Sequence, residues 1–166
     1  MFLPVPRELL SQGDIFTELD LIDSAAPTSP PQKRNVIVLS NDCEIDKPSN
    51  RIVLVCAIRS VSDINPRTIN DIRKNGVYNT MYIGSISNLP ESFIDFRFIF
   101  RVDGLFLEEG IRRGLRIASV DDEARLALGT FFYRFLTRAV SSTRTPLWLT
   151  FLTRVFTRIN PFRKKS

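Results

Sequence analysis

The sequence predicts an α+β fold: a curled antiparallel sheet with a short helix inserted near 66–74 and two helices at the C-terminus. Three observations carry this. Apolar runs at 36–39, 52–58 and 93–102, rich in Val, Ile and Phe, read as strands. Polar segments bearing Pro27, Pro30, Pro31 and Pro48 separate the early runs, and Pro cannot donate to a ladder. Apolar residues recur at helical spacing only late, from Ala124 and again from Leu147.

In chain order, residues 2–12 read as an extended lead-in with one helical turn, and Gly13-Asp14 as a turn. Ile15 to Ile22 alternates partially and reads as a first strand. Residues 23–32 are a proline-containing loop. Val36 to Leu39 is a buried strand, and Ser40 to Asn50 a polar turn or wide loop. Ile52 to Ile58 is continuously apolar, which suggests burial on both faces. Asn65-Pro66 supplies an N-cap and a first-turn proline, and Asn75-Gly76 a stop.

Val77 to Ile86 and Phe93 to Val102 follow as strands. Regular alternation would place Ile94, Phe96, Phe98 and Phe100 on one face and Asp95, Arg97, Ile99 and Arg101 on the other. Asp103-Gly104 reads as a tight turn before short strands at 105–107 and 115–118. Acidic residues 121–123 suit a helix N-terminus, and Ala124, Leu128, Phe131 and Phe135 define a helix over 119–139. Gly129 within it would permit close approach to the sheet. Thr145-Pro146 starts a basic amphipathic helix through Ile159. These signals divide the chain into a sheet domain with its helix, 1–140, and a tail helix, 141–166.

Composition excludes several classes. The 166 residues are 43% hydrophobic and 25% charged, near the globular average. No run of 18 apolar residues exists for a conventional transmembrane helix. Met1 to Leu10 lacks the pattern of a secretory leader, and two cysteines do not make a disulfide framework, so a cytoplasmic setting is expected. The absence of histidine removes any imidazole base and any His-ligated metal. Charge is unevenly placed. Residues 1–123 carry 14 basic and 18 acidic side chains, whereas 124–166 carry 9 basic and none acidic. The basic third favours a polyanion: nucleic acid, an anionic membrane surface or an acidic protein.

Candidate chemistry is sparse. Asp42, Glu44 and Asp46 alternate and could hold a hard cation, but the calcium-loop pattern is absent; a solvated loop paired with nearby arginines is the simpler reading. Cys43 lies between carboxylates and Cys56 in the most apolar strand, and neither has a base, so thiol catalysis is not expected. Glycine-rich phosphate loops are absent, and no cofactor is expected. What remains is a set of arginines on or near strands: Arg34, Arg51, Arg59, Arg97, Arg101, Arg112, Arg113 and Arg116. In a curled sheet several of these converge on one face, where guanidinium groups grip phosphates, or else they pair with strand acids such as Asp95.

Gly13-Asp14-Ile15-Phe16, then Lys33-Arg34-Asn35-Val36-Ile37-Val38-Leu39-Ser40-Asn41, then Arg51 through Ser60, resembles the PemK/MazF family of plasmid-maintenance toxins over residues 13–60. The resemblance implies a small Src-homology-type β-barrel with a C-terminal helix, a homodimer, and metal-independent cleavage of single-stranded RNA by its 2′-hydroxyl. It places Arg34 at the family's phosphate-contacting loop arginine. Arg59 stands at the family's functional Thr, Ala57 at its strand Pro, and Ser60 offers a hydroxyl alongside. Arg34, Arg59 and Ser60 are therefore the candidate catalytic residues, with Lys33, Arg51, Arg97 and Arg101 as nucleic-acid contacts. An acidic antitoxin-like partner is implied. The alternatives are a non-catalytic barrel that binds protein or nucleic acid in a bacterial defence or mobile-element setting, and membrane-surface attachment through Pro146 to Lys165.

Overall fold

A computed structural model describes residues 2–3, 6–22, 27–45 and 51–137. It is α+β. Six antiparallel strands curl into a half-barrel: β1 (Asp14–Leu21), β2 (Gln32–Val38), β3 (Ile52–Ser60), β4 (Thr80–Ile86), β5 (Leu89–Asp103) and β6 (Arg116–Ser119). The spatial order is β4-β5-β3-β2-β1-β6, leaving β4 and β6 as edges. Among the described residues four α-helices accompany them: α1 (Asp42–Ile45), α2 (Pro66–Arg73), α3 (Gly104–Arg112) and α4 (Asp122–Thr137).

Register explains the central strands. Ile37 faces Cys56 across β2 and β3, and Val36 and Val38 face Ala57 and Val55. Successive residues therefore feed opposite faces, and both faces are covered. One core holds Ile15, Ile37, Cys56, Ile58 and Ile94, closed by Ala124 and Leu128 of α4. The other holds Phe16, Leu19, Val36, Val55 and Phe100, closed by Leu107 of α3. Double coverage is why Ile52–Ile58 reads as unbroken apolar sequence.

Glycine makes two close approaches possible. Gly13 has φ +84°, and a Cβ there would collide with the Val120 side chain. Its N–H donates to the Val38 carbonyl and its carbonyl accepts from Val120 N, at 2.9 and 3.1 Å, so it links three chain segments. Gly110 lets α3 lie on β1; a Cβ there would stand 3.3 Å from the Phe16 ring.

Helix α2 follows its capping signals: the Asn65 side chain accepts from Arg67 N, Pro66 opens the helix, and Asn75 has φ +52° just beyond Lys74. Arg73 donates to both Glu91 oxygens at 2.6 Å, and the Tyr82 hydroxyl donates to Glu91 at 2.7 Å. This fastens α2 to the β4–β5 hairpin. These hydrogen bonds, from Arg73 first and then Tyr82, lower the Glu91 pKa to about 2.

Several expectations are corrected. Residues 105–107 belong to helix α3, because the Asp103 side chain accepts from Leu105 N and caps a helix where a turn was expected. The polar segment after Ser40 contains the helical turn α1. The lead-in has no helical turn among its described residues; Phe2 instead bridges to Val120. Gly129 faces open space rather than the sheet. The alternation expected along β5 breaks. Cys56 opposes Ile99 while its neighbour Ala57 opposes Asp95, so residues 96–98 bulge out of the ladder. Phe96 therefore joins the α4 core while Phe98 and Phe100 join the α3 core. Asp95, expected on an exposed face, is fully buried. The tail helix expected over 146–159 lies outside the described residues.

The Phe96 ring lies 5.9 and 6.0 Å from those of Phe132 and Phe135. Phe96→Ala is expected to cost about 3–5 kcal/mol in denaturant unfolding, the range for a buried aromatic truncated in a core. The Glu91 linkage has a definite sign. An ordinary glutamate titrates near 4.5, and folding lowers this one to about 2. Its contribution is complete above pH 4.5 and fades toward pH 2. Urea titrations across that window are expected to show an acid-dependent loss that Glu91→Gln removes.

Candidate functional site

The face of the sheet shared by Val36, Val55 and Ala57 also carries Arg34 and Arg59 at their strand ends, because all have the same side-chain parity. Arg34 lies opposite Leu19 of β1. Its guanidinium carbon stands 5.5 Å from the centroid of Phe100. Arg59 and Arg97 stand 5.8 and 5.7 Å from the Phe98 centroid. Three guanidinium groups thus lie over two nearby rings of β5, in cation–π range.

Asp95 organises this patch from below. Arg97 Nε and Nη2 donate to its two oxygens at 2.8 and 2.6 Å, and Arg59 pairs with it at 3.4 Å. The hydrogen bonds from Arg97, offset by partial burial, raise the arginine pKa and fix its charge. Arg97 nevertheless leaves 55% of its side chain exposed. Arg34 donates to the neutral Gln32 amide oxygen at 2.7 Å, while its buried Nε finds no acceptor among the described residues. One carboxylate therefore serves two of the three guanidiniums, and an uncharged group serves the third. Elsewhere on the surface Lys33 pairs with Glu18, Arg51 with Glu108, Arg73 with Glu91 and Arg112 with Glu109, while Asp122 is shared by Arg7 and Arg125.

Of the sequence-derived candidates, Arg34, Arg59 and Arg97 come together. Ser60 does not join them, since its neighbour Arg59 takes the patch side and Ser60 alternates away. Its Oγ accepts from Ser62 N at 3.2 Å, capping a 3-10 turn at Val61–Asp63. Lys33 is engaged by Glu18 at 3.1 Å, and Arg51 by Glu108 at 3.4 Å beside α3. Arg101 opposes Leu54, away from the cation–π group, and is exposed. Sequence reading did not single out Phe98, Phe100 or Gln32 as functional. The signal available was the interleaving of Phe with Arg in 96–101.

A cleft of about 420 Å³ adjoins the patch, bounded by the end of β1, the end of β5 and Phe106 of α3. Phe100 belongs to both, with Arg34 on its ring and the cleft beside it.

Asp14 and Asp42 are structural. Asp14 is buried, with Arg116 at 2.9 Å, Ser119 Oγ donating to it, and Ser11 N at 3.0 Å. Burial raises its pKa against the lowering effect of those donors. Asp42 accepts from Gln12 N at 2.8 Å and pairs with Arg125. Among the described residues no three His, Cys, Asp or Glu side chains converge as metal ligands, and Asp46 lies outside them. Cys56 donates its thiol to the Asp95 carbonyl, and burial, reinforced by the Asp95 charge, pushes its pKa well up. Among the described residues no helix is long and apolar enough to cross a membrane. No protein-family model and no curated protein matches this chain.

The two buried carboxylates differ in what their removal exposes. Arg116 keeps only 9% of its side chain accessible, so Asp14→Ala strands a buried charge and is expected to cost about 3–5 kcal/mol. Asp95→Asn leaves Arg97 half-exposed and is expected to cost about 1.5–3 kcal/mol, the range for hydrogen bonds to a charged group. Chemical denaturation of both variants measures the difference.

Proposed function

We propose that this chain is a PemK/MazF-like protein that binds single-stranded RNA on the face formed by Arg34, Arg59, Arg97, Phe98 and Phe100. One observation carries the reading: on this face guanidiniums outnumber carboxylates three to one, and each lies over a phenylalanine ring. A phosphate backbone supplies the missing anions, and unpaired bases offer π-faces that duplex RNA keeps stacked. The curled antiparallel sheet is compatible with the Src-homology-type barrel expected from residues 13–60.

Recognition without cleavage is the reading the geometry favours. Ser60 is committed to its turn, and Asp95 is held by two arginines, so neither is poised to take a proton from a 2′-hydroxyl. A second reading, metal-independent cleavage, draws on the Arg34 guanidinium, which donates to the neutral Gln32 oxygen and is matched by no carboxylate. The same cationic face would receive an acidic antitoxin-like protein, which then competes with RNA. Homodimer formation follows from the family resemblance alone.

End-labelled mixed-sequence RNA, titrated without metal at several salt concentrations, tests this. Wild type is expected to bind, with log Kd linear in log salt. Arg34→Ala and Arg59→Ala are each expected to weaken binding and to reduce the salt slope by about 0.7, the single-strand value per phosphate. Phe98→Ala, which removes the ring beneath Arg59 and Arg97, is expected to weaken binding by about 1–3 kcal/mol. Intact RNA on a gel after binding supports the binding module, and discrete products lost in Arg34→Ala support cleavage. Absence of binding at low salt refutes both.

A further inference from the structure

We propose that the segment Pro146 to Lys165 docks on the outer stripe of α4, running antiparallel to that helix. The proposal does not depend on the RNA reading, because α4 closes one core and the arginine face lies over the other.

Helix α4 has two apolar sides, and the sheet uses only one. Ala124 and Leu128 are buried, and Phe131, Phe132 and Phe135 pack beside them on the same core. On the outer side Leu126, Tyr133 and Leu136 are 72, 66 and 60% exposed. Leu126, Gly129, Thr130 and Tyr133 follow the i, i+3, i+4, i+7 spacing of a single stripe, and Leu136 continues it. A groove of about 660 Å³ is lined by these four residues together with Gln12 and Asn41. A Cβ on Gly129 would meet nothing within 4 Å, which leaves room for a large side chain above it. Such a stripe on a helix already packed on its other side marks a missing packing partner.

The chain itself carries a partner of matching length and opposite charge. In 146–159, Trp148, Phe151, Leu152, Val155 and Ile159 recur at helical spacing. Coiled as a helix they span about 17 Å, and Leu126 to Leu136 spans about 15 Å. Only residues 138–145 separate the segment from the end of α4. Connections of about 2–8 residues join antiparallel neighbours in helix bundles. A reversal there sets Trp148 near Tyr133 and Leu136, and the far end of the segment near the start of α4. That start carries Asp121, Asp122 and Glu123, of which Asp122 is answered by Arg7 and Arg125. The segment carries Arg154, Arg158, Arg163, Lys164 and Lys165 and no acid. Its cations therefore gather at the end where the carboxylates stand.

Tethering selects this occupant over others. A segment on a short linker meets the groove at an effective concentration of about millimolar, which a second copy matches only when the protein itself is that concentrated. An anionic membrane surface would be repelled by the same carboxylates.

Trp148 is the sole tryptophan, so its fluorescence in the full chain reads docking directly. The emission is expected to be blue-shifted and protected from acrylamide at every protein concentration. Leu126→Ser combined with Tyr133→Ser is expected to shift it to the red and abolish the protection. Both side chains lie outside the two cores, and the upfield methyl proton signals of those cores check that the variant is folded. Glu123→Lys is expected to reduce the protection at low salt and less at high salt. Wild-type emission of a fully exposed tryptophan overturns the proposal, as does blue-shifted emission that the stripe substitutions leave unchanged. Protection lost on dilution assigns the stripe to a second copy, and protection gained only with anionic lipid vesicles assigns the segment to a membrane; each overturns docking within one chain.

Discussion

A buried carboxylate in the middle of β5 is the constraint on which the rest of the molecule depends. β5 is 15 residues long and pairs with β3 along one edge and β4 along the other. A strand of that length cannot serve a strongly curled sheet without a break, and the break is the bulge at 96–98. Breaking a ladder orphans backbone donors, and each must find a partner. The Phe96 N–H donates to the Asn79 carbonyl at 3.0 Å, and the Arg97 N–H to Asp95 Oδ1 at 3.2 Å. Asp95 thus accepts from the backbone it interrupts and from two guanidiniums at once, which is how a charge can be fully buried there.

The bulge also distributes side chains. By shifting register it sends Phe96 toward α4 and Phe98 and Phe100 toward α3, so one strand supplies aromatic anchors to both cores. Asp14 performs a parallel task at the other side of the sheet. With Arg116 and Ser119 it fastens the edge strand β6 to β1, and the arginine reaches on to the Leu9 carbonyl at 3.1 Å, holding the lead-in. Two buried acids, one near each end of the strand order, fix elements that apolar packing alone would let slide.

Much of the fold was legible where local chemistry and periodicity agree. Asn65-Pro66 and Asn75-Gly76 bracket α2, and Ala124 to Phe135 define the buried stripe of α4. Legibility failed where a strand departs from its own period. Nothing in Phe93 to Val102 marks three residues as extra, because Asp95 looks like any outward polar residue until its partners are known. The same gap hid half of the site. Arg34 and Arg59 share a face by simple parity through β2 and β3, and that much follows from sequence. Phe98 and Phe100 reach that face only because the bulge breaks the parity of β5. Helix α3 was missed for a different reason: Leu105 to Leu107 is too short a run to separate strand from helix by period, and Asp103 was read as a turn residue rather than a cap.

The electrostatics of the patch follow from the same arrangement. The chain up to residue 123 carries more acid than base, yet a polyanion responds to local potential within about a Debye length, roughly 8 Å at physiological salt. Lys33, Arg51, Arg73 and Arg112 are each matched by a carboxylate, and such pairs present little field. Asp95 is shared, and Arg34 has only an amide, so positive charge exceeds negative among the three stacked guanidiniums and Asp95. Contact with the phenylalanine rings restrains those groups, so holding them on an anion costs less entropy. A buried acid needed to stabilise a strand bulge therefore also pre-positions the cations beside it, which joins the requirements of the fold to those of an anion-binding face.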